Sequence, residues 1–246
     1  MKPDNYRIIL EYDGTSFSGW QYQNPLTPTI QGEIMRVLQV IAKKRVVVTG
    51  SSRTDAGVHS RGLVANFHLP VRIRPDSLQL AMNALLPETI RVTSCERAEP
   101  RFNARFGARS KTYEYCIYTG KFVSPFDCRW MTHIPQPLHV RNMKRALRHF
   151  KGSRDYSSFT SDTENKNRVR TITRIRLKKR GDTLILSVTG PAFLRYMVRN
   201  IAGTLIDVGR GRISPADIPQ IFAARDRRRA GRTAPARGLT LMRVDY

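Results

Sequence analysis

Carboxylates are scarce in this chain: its 246 residues hold 19 Asp and Glu against 43 Lys and Arg, for a formal net charge of +24. A field this positive points to a polyanionic partner. The charge is spread through a foldable sequence rather than gathered on one basic amphipathic helix, which favours nucleic acid over a membrane surface. A metal-dependent nuclease needs several converging carboxylates, and the nearest candidate pair, Asp162 and Glu164, sits in a polar stretch, "TSDTENKNR", that reads as a loop. Cysteine is almost missing too. Cys95, Cys116 and Cys128 are an odd number with no C-x-x-C pair, which suits a reducing compartment, argues against a structural zinc site and leaves them as small core or surface residues. No apolar run approaches the roughly 18 to 20 residues of a membrane span. The polar start "MKPDNYRIIL" lacks the apolar stretch of a signal peptide, so the expected location is cytoplasmic. P-loop, H-E-x-x-H and G-x-S-x-G motifs are absent as well.

What is present is enough apolar sequence, 40% of residues, for a real core in one large domain or two smaller ones. A division after Arg105 leaves 14 basic and 9 acidic residues in 1–105, and 29 and 10 in 106–246, net +5 and +19. The second half is therefore expected to do most of the gripping of a polyanion. In the first half "YRIILEY" reads as a strand, and Ile30, Ile34, Val37, Leu38 and Ile41 recur at helical spacing. "RVVVTG" is a short strand, "GLVANFHLP" alternates like a half-buried one, "PDSLQLAMNALLP" is a helix and "IRVTSCERA" a strand. The second half loosely repeats that order. "KTYEYCIY" is a strand, and "VRNMKRALRHF" is a helix with Val140, Met143, Leu147 and Phe150 on one face. A hairpin turns at Gly181 and Asp182, and a long helix carries Leu194, Met197, Ile201, Leu205 and Val208. Ser214, Pro215 and Asp217 resemble a capped helix start, and "LTLMRVDY" is a final strand. The class is α+β: two split β-α-β halves with mainly antiparallel sheets side by side and a cleft between them.

With so few acids, the catalytic candidates can nearly be counted. Asp55 follows the strand "RVVVTG" inside "GSSRTDAGVHSRG", where a compact turn would project it at the carboxyl end of a sheet strand, with Gly57 allowing a tight backbone path. As an isolated Asp-x-Gly it reads first as a residue that caps its own turn and pairs with Arg53.

The longer context separates those readings. "GSSRTDAGVHS" resembles the signature of the tRNA pseudouridine synthase A family, whose catalytic residue is the aspartate of R-T-D-A-G-V-H. "FSGWQYQ" with "TIQGEI" is similar to that family's first block, and "FNARFGARSKTYEYCIY" to its second. "SPF" at 124–126, "RDYSSF" at 154–159, "AFLRYMVRNIAGTLIDVGRGR" and "TAPARGLTLMRVDY" continue the match in order along nearly the whole chain. Three positions depart from it. Ser52 stands where the family usually has glycine, Ser60 where it has alanine, and Thr240 where it has tyrosine.

The resemblance implies a pseudouridine synthase fold and an isomerisation of uridine at positions 38, 39 and 40 of the tRNA anticodon stem-loop, by a homodimer without cofactor. The bond from ribose to uracil nitrogen breaks, the ring turns, and a carbon bond forms to the same sugar. The nucleotide must first be flipped out of its stack. Tyr113, the first tyrosine of Y-x-Y, is implied to pack against the base. Burial opposes the ionised form of Asp55, and Arg199 is the implied counter-ion. Arg195 lies four residues before Arg199, so one helical face would present both; Arg195 reads equally as a solvent-facing phosphate contact. Arg53 is expected to support the flipped nucleotide. Whether Asp55 attacks the sugar carbon, adds to the ring or removes a sugar proton is left open by residue types. The basic runs "NRVRTITRIRLKKR" and "RDRRRAGR" read as phosphate contacts. The rival from another class is a non-catalytic RNA-binding or ribosome-associated module, which accounts for the charge but not for the R-T-D-A-G-V-H block.

Overall fold

Alternation in the first strand decides which side of the first sheet is core. In the computed structural model, which describes residues 3–162 and 167–246, β1 (Asp4–Tyr12) buries Tyr6, Ile8, Leu10 and Tyr12 and turns Arg7, Ile9 and Glu11 the other way. The chain divides into two compact units, Met1–Arg109 with Leu241–Tyr246, and Ser110–Thr240.

In the first unit β1 is followed by α1 (Ile30–Ala42), β2 (Val48–Gly50), β3 (His59–Leu69), α2 (Pro75–Leu85) and β4 (Ile90–Arg97), the strand, helix, strand, strand, helix, strand order that the sequence predicts. β1 pairs antiparallel with β3 on one side and β4 on the other, and β2 pairs antiparallel with β3. Thr29 caps α1 by accepting from Gly32 N, and the helix buries Ile30, Ile34, Val37 and Leu38. Pro75 opens α2, which buries Leu78 and Met82 and packs along β4.

β3 corrects one expectation. Its alternation predicts a half-buried strand, yet Val64 and Asn66 on the second face are also buried. The loop after β4 covers them: Asn66 Nδ2 donates to Asn5 Oδ1 and to Phe102 O, its Oδ1 accepts from Ala104 N, and Asn5 Nδ2 donates to Glu99 O and Phe102 O. Two buried amides are tolerated there because their hydrogen bonds are met. The last strand, β11 (Leu239–Asp245), belongs from Leu241 onward with this unit, beside β3. Arg109 N donates to Asp245 O at 2.8 Å, and the Tyr246 hydroxyl donates to Ala104 O at 2.7 Å.

The second unit contains β5 (Ser110–Tyr118), β6 (Thr132–His133), α3 (Val140–Leu147), β7 (Gly152–Asp155), β8 (Val169–Ile172), β9 (Arg174–Arg180), β10 (Thr183–Gly190), α4 (Met197–Gly209) and α5 (Ile218–Ala224). β10 runs antiparallel between β5 and β9, β6 lies parallel to β5, and β7 with β8 forms a separate ribbon. The β9–β10 hairpin turns at Gly181 and Asp182, as the sequence predicts, with Arg180 opposite Thr183. Ser214 and Asp217 form the expected capping box ahead of α5. α4 is buried along almost its whole length, polar Asn200 and Thr204 included. Each unit is α+β with mainly antiparallel pairing.

Cys95, Cys116 and Cys128 are free thiols, each half-buried. Among the described residues no helix is long and apolar enough to cross a membrane.

Candidate active site

The loop that carries Asp55 is tied down by main-chain bonds. At the end of β2, Ser51 N donates to Val64 O, and the chain leaves the sheet until His59 rejoins it in β3. Asp55 opens a turn closed by Val58 N donating to Asp55 O at 3.1 Å, with Gly57 supplying the positive φ, 74°, at the third position. The turn is therefore real, and it places a half-buried Asp55 beside an exposed Arg53.

Residues 12–20 lie across this loop as a strap. Trp20 N donates to Thr54 O at 3.0 Å, Gly57 N donates to Phe17 O at 3.2 Å, and the Tyr12 hydroxyl shares a 2.8 Å hydrogen bond with Thr54 Oγ1. Gly19, at φ 93°, passes so close that a Cβ there would stand 2.5 Å from Thr54 O. The strap is anchored in turn by α1. Ile30 N donates to Gly19 O and Gln31 N to Trp20 O, while Gln31 Nε2 donates to Val48 O on β2. This accounts for the "FSGWQYQ" and "TIQGEI" stretches as parts of the Asp55 support.

His59 is buried in the same support, its Nδ1 accepting from Gly14 N at 3.1 Å. Asp13 Oδ1 lies 3.2 Å from that nitrogen, a contact that is an ion pair only when the imidazole is protonated. Tyr12, Gly19, Thr54 and His59 escaped sequence reasoning. Only the proximity of a Gly-Trp pair to the Asp motif in three dimensions singles them out.

In the second unit Tyr113 faces inward on β5, as its alternation predicts, and its ring meets Phe193 edge-on with centroids 5.2 Å apart. It is 6% exposed, against 0% for Tyr115. The Tyr115 hydroxyl is bonded to Thr132 Oγ1 and donates to Pro235 O, and burial pushes its pKa up to about 12. Both tyrosines are thus buried, and of the two it is Tyr113 whose ring packs on Phe193. Tyr115→Phe should cost about 1–2 kcal/mol by leaving buried partners unpaired, seen as a lower urea midpoint, with turnover unchanged.

Arg195 and Arg199 come together differently from the expectation. α4 starts at Met197, and Tyr196 before it has φ 60°. That left-handed residue puts Arg195 outside the helix, so no helical face presents both arginines. Tyr196 joins them instead: the Arg195 guanidinium lies 5.0 Å and the Arg199 guanidinium 4.9 Å from its ring centroid. Arg199 Nε also donates to Ala234 O at 2.9 Å. Arg195 is exposed and Arg199 half-buried.

Residues 8–107 and 146–246 match the sequence model of a family described as tRNA pseudouridine synthase. The chain belongs to the tRNA pseudouridine synthase family. Among its relatives, the tRNA pseudouridine synthase A of Bacillus licheniformis is 43% identical over 243 residues, covering 98% of each chain. That of Bacillus subtilis is 42% identical over 243 residues, with the same coverage of both chains. The tRNA pseudouridine synthase A 1 of Protochlamydia amoebophila is 41% identical over 246 residues, covering 98% of this chain and 96% of its own.

Against that pseudouridine synthase pattern, two of the three departures have a local account. Ser52 is not among the positive-φ residues, so its backbone does not require the usual glycine. Ser60 is buried, where its hydroxyl accepts from Gly62 N and Leu63 N and donates to Leu241 O; alanine would lose all three bonds. Nothing in the structure explains Thr240.

The two basic runs separate. On β9, Arg174, Arg176, Lys178, Lys179 and Arg180 are exposed. In "RDRRRAGR", by contrast, Arg225 pairs with Asp155 at 3.1 Å, Arg228 pairs with Asp226 at 2.8 Å, and Arg227 turns inward. The expectation that this whole run meets phosphate is therefore narrowed at Arg227 alone, since Arg225 and Arg228 stay exposed in surface ion pairs. Of the weaker nuclease pair, Asp162 is half-buried, and Glu164 lies outside the described residues.

Proposed function

We propose that this chain isomerises uridine to pseudouridine at positions 38, 39 and 40 of the tRNA anticodon stem-loop, as a cytoplasmic homodimer. The observation that carries the reading is the R-T-D-A-G-V-H loop, strapped at its Thr54 and Gly57 backbone by residues 17–20, in a chain of this family. Substrate and product are isomers, so the reaction consumes no redox equivalent and no high-energy phosphate.

Each side chain then has a task. The target nucleotide is flipped out at a cost of roughly a few kcal/mol, and stacking on Tyr113 returns about 1–3 kcal/mol. Asp55 acts as an ionised carboxylate on the flipped nucleotide, Arg199 is its counter-ion, Arg53 supports the displaced nucleotide, and Arg195 holds phosphate. These roles rest on the family resemblance. The half-buried placement of Asp55, the inward-facing ring of Tyr113 and the shared Tyr196 contact of the two arginines are compatible with them.

The phosphate grip is assigned first to β9. Arg174, Arg176, Lys178 and Arg180 alternate onto one side of that strand. Replacing Arg176 and Lys178 together by Gln should lower the slope of log affinity against log salt by roughly one to two, read by titrating labelled tRNA at several salt concentrations. An unchanged slope would move the grip elsewhere.

The reading is tested with three unmodified tRNA transcripts carrying uridine at only one of positions 38, 39 and 40, incubated without added nucleotide. Pseudouridine at each position is the expected result. Tight binding with no conversion in any of them would instead favour the RNA-binding module.

A further inference from the structure

One basic residue of the second unit has both terminal guanidinium nitrogens engaged by uncharged partners. Arg227 NH1 donates to Gly231 O at 2.9 Å, and its NH2 donates to Asn200 Oδ1 and to Thr233 Oγ1, each at 2.9 Å. Thr233 Oγ1 donates on to the same Asn200 oxygen at 2.7 Å. Asn200 is fully buried, and its Nδ2 donates to Phe159 O. Burial lowers the pKa of Arg227 from its ordinary value. This arginine is half-buried and, among the described residues, has no carboxylate partner, a partial desolvation that is costly unless its hydrogen bonds are met.

The hydrogen bonds around it show what is held. Residues 231–234 lie along the first turns of α4: Gly231 N donates to Thr204 Oγ1 at 3.0 Å, Ala234 N donates to Arg199 O at 3.2 Å, and Arg199 Nε donates to Ala234 O at 2.9 Å. Arg227 fastens both ends of this segment, at Gly231 and Thr233, to the residue that follows Arg199. We infer that Arg227 is a positioning residue for the isomerisation, fixing the guanidinium of Arg199 by clamping residues 231–234 onto α4 through Asn200 and Thr233. The inference rests on the proposed role of Arg199 as the counter-ion of Asp55.

A planar fork is needed for three such bonds, and an ammonium does not reproduce it. A phosphate contact behaves in the opposite way, since lysine serves there as a point charge. The test therefore compares Arg227→Lys, Arg227→Met and Thr233→Val on an unmodified tRNA transcript, with thermal unfolding to fix a temperature at which every variant used is folded. The expected result is a kcat lower by roughly ten- to hundredfold in Arg227→Lys and Arg227→Met, with KM and the salt slope close to wild type. Thr233→Val, which removes one bond and no charge, should lose several-fold in kcat, and it and Arg227→Lys carry the test if Arg227→Met does not fold. An unchanged kcat in Arg227→Lys, or a loss confined to KM with a salt slope lower by about 0.7–0.9, would overturn the inference. A double-mutant cycle isolates the route: in an Arg199→Met background the Arg227 substitution should add little further loss, and an undiminished additional loss would show that Arg227 does not act through Arg199. Full turnover in Arg199→Met alone would instead remove the role of Arg199 on which the inference rests.

Discussion

Asp55→Asn should bind tRNA within about twofold of wild type and lose turnover by roughly 10³-fold or more. The substitution is nearly isosteric. The turn it sits in is closed by Val58 N donating to the residue 55 carbonyl, and its positive φ belongs to Gly57, so both survive in the variant. What disappears is the negative charge and its capacity to act as nucleophile or base, which every open version of the mechanism requires. Asp55→Glu keeps the charge but advances it by one methylene, a displacement on the order of 1 Å that costs about 10²-fold when reacting atoms must be aligned. Single-turnover conversion with excess enzyme separates these losses from binding. Wild-type turnover in purified Asp55→Asn would take the central role away from this residue.

Gly19→Val should be nearly as damaging, although residue 19 carries no chemistry. Its backbone is at φ 93°, which a β-branched residue adopts only at a cost of roughly 1–3 kcal/mol. Its new Cβ would also stand 2.5 Å from Thr54 O, 3.0 Å from the carbonyl carbon of Asp55 and 3.1 Å from Ala56 N. These are main-chain atoms with no rotamer to yield, so either the strap lifts or the Asp55 loop shifts. An ångström of movement at Asp55 lowers kcat by about 10²-fold, while β9, the surface proposed to hold phosphate, is untouched. Urea titration and turnover measured on one preparation distinguish the two costs. A variant that folds with kcat unchanged would show that the strap stabilises the loop without positioning the carboxylate.

Much of this arrangement was legible in the sequence because periodicity and turn chemistry are local. The six elements of the first unit follow from spacing alone, and the β9–β10 turn from Gly181-Asp182. The misreadings share a cause, which is that they depend on what lies across from a residue. Asn66 looks like the polar side of a half-buried strand until Asn5 and the loop at residues 99–104 cover it. Arg195 and Arg199 have helical spacing, but Tyr196 takes a left-handed conformation between them and offers both its ring. Arg227 sits in a run of arginines and is distinguished from Arg229 by its bonds to Gly231, Thr233 and Asn200, the last 27 residues away in sequence. For the site itself, Asp55 and Tyr113 stood out through motif context, whereas Gly19 and Thr54 acquire meaning only from a 2.5 Å approach between segments about 35 residues apart.

The most direct test of the account uses the hydrogen on uracil C5. When that carbon bonds to the ribose, its hydrogen must leave, while the nitrogen released from the sugar takes a proton. A tRNA transcript labelled with tritium at C5 of its uridines should therefore release tritium to water on incubation with the wild-type chain alone, in step with pseudouridine formed at positions 38–40, and should release none with Asp55→Asn. Saturating binding of the labelled tRNA with no tritium released by the wild-type chain would contradict the account.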